Sequence, residues 1–106
     1  MKLGIVIETA DAEKAWNAFR LGKRATEKGD EVSVFLLGEG VECVEVREPF
    51  DVEEKAREFD EADGELLACG TCLEIREQEG DELCPVSTLD DLYDVIDSSD
   101  KLLTVG

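Results

Sequence analysis

Continuous apolar runs alternate along this chain with segments whose apolar residues recur at helical spacing, and that alternation leaves few folds open. Leu3 to Ile7 and Val32 to Leu37 are apolar at nearly every position, whereas a strand with one face in water alternates apolar with polar. Runs of this kind belong to a parallel sheet covered by helices on both faces. The segments between them supply the helices. Asp11 is placed to cap one whose Ala12, Ala15, Trp16 and Phe19 share a face and which Gly29 ends. Val52, Ala56 and Phe59 stripe a second, acidic helix that stops before Gly64. Leu66 to Ala68 reads as a third strand, followed at once by a helix expected to run to about Gln78, and Leu83 to Pro85 as a fourth strand. Ser87 or Thr88, with Asp91 three residues after Thr88, caps a helix carrying Leu89, Leu92, Tyr93 and Ile96, and Leu102 to Val105 closes the sheet. The expectation is a three-layer α/β/α sandwich on a parallel five-stranded sheet.

At 106 residues the chain makes one domain, 1–106, because two halves would each be too small to bury a core. It carries 28 Asp and Glu against 11 Lys and Arg, a net charge of -17 that repels phosphate backbones and anionic headgroups. Nucleic acid and membrane are therefore poor partners. The opening MKLGIVIE has too short an apolar run for a signal core or a membrane span, which points to a cytoplasmic protein. In that reducing compartment the four cysteines are expected as working or packed thiols rather than structural disulfides.

There is no histidine, so Cys-His dyads, Ser-His-Asp triads and histidine metal sites are excluded. GEGVEC places Cys43 where a dinucleotide fingerprint needs its third glycine, and no GK[ST] phosphate loop occurs. No cofactor is expected. What remains is LLACGTCLEIR, residues 66–76, where Cys69 and Cys72 follow the third strand at the edge where parallel sheets collect their chemistry. Cys69, at a helix start, is expected to be an activated thiolate, with Gly70 leaving room for a substrate sulfur and Thr71 offering a hydroxyl. Cys72 lies one turn on along the same face, and Arg76 another turn on, free to lend positive potential or to pair with Glu79 or another acid. Cys84 is equally readable as a packed thiol or as part of the site. Cys43, flanked by Glu42 and Glu45, is the poorest nucleophile, its thiol raised if those charges sit close. A zinc site built on the cysteines stays open, although structural zinc usually joins two close pairs.

The stretches AFRLGKRATEKGDEVSVFLLGEGVE, FDVEEKAREF, LLACGTCLEIR and CPVSTLDDLYDVIDSSDKLLTVG together resemble the DsrE/DsrF-like family of small sulfur-relay proteins over nearly the whole chain. ACGTC, CPVSTLDDL and SDKLLTVG are the most specific parts. The resemblance implies a three-layer fold, assembly into trimers or hexamers, and a cysteine after the third strand that carries sulfur as a persulfide between donor and acceptor proteins. Cys69 is the first choice for that carrier, with Cys72 resolving or tuning it and Gly70, Thr71, Arg76 and Cys84 in support. The alternative is a non-catalytic oligomeric module whose cysteines bind zinc or sense oxidation.

Overall fold

The computed structural model describes residues 1–106. In chain order it contains β1 (Lys2–Ile7), α1 (Ala12–Glu27), β2 (Glu31–Leu36), a 3-10 segment (Gly38–Glu45), α2 (Val52–Glu61), β3 (Glu65–Cys69), α3 (Gly70–Ile75), β4 (Val86–Ser87), α4 (Leu89–Ser98) and β5 (Lys101–Val105). All strand pairs are parallel, in the order β4-β3-β2-β1-β5. β1, β2 and β3 are thus interior, as their largely apolar runs require.

The helices begin where capping chemistry places them. Asp11 and Asp51 each accept a backbone N–H three residues on, from Lys14 and Glu54, and Thr88 with Asp91 forms a reciprocal capping box at the start of α4. The chain steps from β1 to β2, β3 and β4 in one direction and then returns across the sheet to β5, so right-handed crossovers set α1 and α2 on one face and α4 on the other. Phe19 of α1 and Phe59 of α2 are fully buried and meet with their rings tilted at 52°, 6.0 Å between centroids. Over β1, Val95 of α4 closes down on Gly4. No helix is long and apolar enough to cross a membrane.

Three local expectations are corrected. The fourth strand is Val86–Ser87, not Leu83 to Pro85. Leu83 and Cys84 are buried, but in a closed loop: the Cys84 N–H donates to the Asp81 carboxylate at 2.8 Å, and the Asp81 N–H donates back to the Cys84 carbonyl at 3.2 Å. Helix α3 ends at Ile75 rather than near Gln78, because Glu77 turns left-handed (φ 54°) and the Gln78 N–H folds back onto the Leu73 carbonyl. The face expected on α4 is only half buried: Leu92 packs inward with Val95, while Leu89, Tyr93 and Ile96 stay exposed, Tyr93 at 66%. Leu102 and Leu103 of β5 are exposed as well.

Candidate functional site

The candidate site lies at the carboxyl ends of β2 and β3, which are neighbours. Strand β3 ends on Cys69, and the chain turns directly into α3. Cys69 takes the N-cap position, its Sγ accepting the Cys72 N–H at 3.4 Å. Across the gap, β2 gives way to the 3-10 segment, whose first residue, Gly38, adopts φ 58°. As the first residue of that segment Gly38 has no carbonyl within it to bond, and its N–H points instead at Cys72 Sγ, 3.2 Å away. Left-handed backbone of this kind is cheap for glycine and costly for other residues. Each of the two sulfurs therefore accepts a main-chain N–H, and the two lie side by side.

Their exposures differ. Cys69 is only 3% exposed, and β4 lies beside it, with Ser87 its register partner. Cys72 is half-buried. Burial raises the Cys69 thiol above its ordinary value, and a hydrogen bond with Cys72 adds to the effect. This reverses the lowered thiol expected from the helix start. A six-residue helix offers little dipole, and desolvation outweighs it.

The supporting residues take particular places. A Cβ on Gly70 would come 2.9 Å from Val86 Cγ1, so the space beside Gly70 is filled by β4. Thr71 is exposed. Arg76 pairs with Glu42 (Nε to Oε1, 3.3 Å), not with Glu79, and its guanidinium donates to the Cys72 carbonyl at 3.1 Å. It braces the turn that holds Cys72 and ties α3 to the 3-10 segment.

Cys84 is set apart from the pair. It lines a small pocket of about 120 Å³ with Val41, Ala68 and Leu73. Burial, then the Asp81 charge, pushes its thiol up to about 12. Cys43 is fully buried and also pushed up to about 12, by burial first and by Cys84 second. The expectation that Cys43 is a poor nucleophile stands, but its cause is desolvation rather than Glu42 and Glu45. No three Cys, Asp or Glu side chains converge as a metal cage would need.

Three contributors were invisible beforehand. Gly38 acts through a backbone N–H, which no residue letter announces; its only signal is its place at the edge of the strand next to β3. Glu42 is the partner of Arg76. Ser87, foreseen only as a possible helix cap, is the one buried polar side chain and sits next to Cys69.

Comparison with known proteins agrees with this architecture. The chain superposes on the crystal structure of the ychN protein from E. coli with a TM-score of 0.81 at 20% identity, covering 98% of this chain and 99% of that one. A conserved protein of unknown function from Bacteroides thetaiotaomicron matches with a TM-score of 0.79 at 18% identity, over 97% and 93% of the two chains. No curated protein matches the sequence. The family model of the DsrE/DsrF-like family matches residues 1–105, and the chain, with its five-stranded parallel sheet and its thiol pair after the third strand, belongs to that family.

Proposed function

We propose that this chain carries sulfur as a persulfide on its Cys69–Cys72 pair, receiving it from a donor protein and passing it to an acceptor protein without a cofactor. The observation that carries the reading is the placement of two adjacent thiols at the carboxyl end of β3, one half open to solvent and held by the Gly38 N–H. A thiolate in contact with a backbone N–H is favoured over one in apolar surroundings, and the thiolate is the form that attacks a persulfide. The family to which the chain belongs, linked to sulfur relay, supports the same class of chemistry.

Incubating the purified protein with glutathione persulfide tests this. The expected result is one adduct of about +32 Da, one sulfur mass, removed by an added thiol acceptor. A protein that takes up no sulfur and instead copurifies with zinc held by its thiols returns the alternative, a metal-binding module.

The carrier is further proposed to work in the cytoplasm as a homo-oligomer, a trimer or hexamer. Leu89, Tyr93 and Ile96 on α4 and Leu102 and Leu103 on β5 leave apolar surface in water, and covering it would offset the repulsion of -17 per chain. Light scattering at moderate salt is expected to return a multiple of 11.7 kDa; the monomer mass would remove the assembly from the reading.

A further inference from the structure

Granting the relay reading, we infer that the two thiols divide the work in the reverse of the order expected from sequence: Cys72 takes sulfur from the donor, and Cys69 is the buried thiol that discharges it when no acceptor comes.

Access is the first argument. To take the outer sulfur of a persulfide, the attacking sulfur must approach it in line with the bond that breaks, with the donor standing in solvent. Cys69 is 3% exposed, which leaves almost no surface for a donor chain to meet. Cys72 is half-buried and open on one side.

Stabilisation of the charged sulfur is the second. The Gly38 N–H meets Cys72 Sγ at 3.2 Å, against 3.4 Å for the Cys72 N–H at Cys69 Sγ. When Cys72 ionises, the Gly38 contact becomes charge-assisted. Burial first, and Cys72 second, raise the Cys69 thiol above its ordinary value.

The chemistry closes without any oxidant. The Cys72 thiolate attacks the terminal sulfur of the donor persulfide; the Cys72 Sγ–S bond forms, the donor's S–S bond breaks, and the donor leaves as a thiolate. Delivery repeats the exchange, with the acceptor thiolate taking the outer sulfur and Cys72 regaining its thiolate. With no acceptor present, the Cys69 sulfur attacks Cys72 Sγ. A Cys69–Cys72 disulfide forms, and the carried sulfur leaves with the electron pair and the Cys69 proton as hydrosulfide. The two cysteine sulfurs together lose two electrons and the carried sulfur gains two.

The test uses the intact protein with glutathione persulfide, quenched over time and read by intact mass and tandem fragmentation, which tells the two cysteines apart. In the wild type the adduct of about +32 Da is expected on Cys72, decaying to a species about 2 Da lighter than the dithiol with one hydrosulfide released. Cys69→Ala is expected to keep the adduct about tenfold longer, and Cys72→Ala to load about tenfold more slowly. A wild-type adduct on Cys69, or a folded Cys72→Ala that loads at the wild-type rate, overturns the division of labour while leaving the relay in place. No adduct on any of the three proteins overturns the relay itself. The wild-type mapping stands even if a variant fails to fold, which circular dichroism reports.

Discussion

Cys43 and Cys84 come within electrostatic reach of each other, as do Cys69 and Cys72, and both pairs lie near the carboxyl ends of β2 and β3. In the first pair both cysteines are buried and both thiols are pushed up to about 12, although Cys84 lines a small pocket and has the Asp81 carboxylate close by. The second pair joins one buried sulfur to one half open to water, and each accepts a backbone N–H. Nearness to the edge of a parallel sheet therefore does not by itself give two thiols the same surroundings. What sets the second pair apart is Cys72, which alone of the four is only half-buried and which accepts the Gly38 N–H.

That comparison is tested most strongly by labelling. Raising a thiol from an ordinary 9 to about 12 cuts its thiolate fraction a thousandfold. Iodoacetamide near pH 8 is thus expected to modify Cys43 and Cys84 about a thousandfold more slowly in the folded protein than in urea, and last among the four cysteines. Labelling of either within tenfold of Cys72 would erase the distinction. The same shift has an equilibrium face. The folded state holds these protons more tightly than the unfolded chain, so the stabilisation is complete below about pH 9 and is lost between 9 and 12, at roughly 1.4 kcal/mol per pH unit for each thiol. Urea midpoints measured across that range should fall accordingly.

A smaller effect should strike both pairs together. The 3-10 segment carries Gly38 at one sulfur and contains Cys43, and it is seated by Gly40, where a Cβ would collide with the Ile7 carbonyl oxygen. Gly40→Ala must displace the segment, at a cost of about 3 kcal/mol. Cys43 should then label faster as Cys72 loses its N–H contact. A variant with wild-type stability and labelling would show that the segment does not couple the two pairs.

Much of the fold was legible because it is written in side chains. The apolar runs of β1 and β2, the Asp11 cap and the Thr88–Asp91 box each name their structure directly. The failures occur where the backbone acts without such a marker. Leu83 and Cys84 look like a strand because they are apolar, yet burial asks only for a covered side chain, and Asp81 secures a loop instead. The stop of α3 at a left-handed Glu77 carries no glycine to announce it. In the site, the cysteines were visible but their unequal exposure was not, since it depends on how the rest of the chain packs around them.

The strand order has one consequence in time. β1 stands inside the sheet only because β5 covers its second edge, and β5 is the last strand made. Between the synthesis of β2 and that of β5 pass roughly 3 to 14 seconds at ordinary translation rates. Throughout that interval β1 can pair with β2, but its other row of N–H and C=O groups has no partner from its own chain. Until residues 101–105 have been made, β1 thus keeps one open edge, and their pairing turns that edge into an interior.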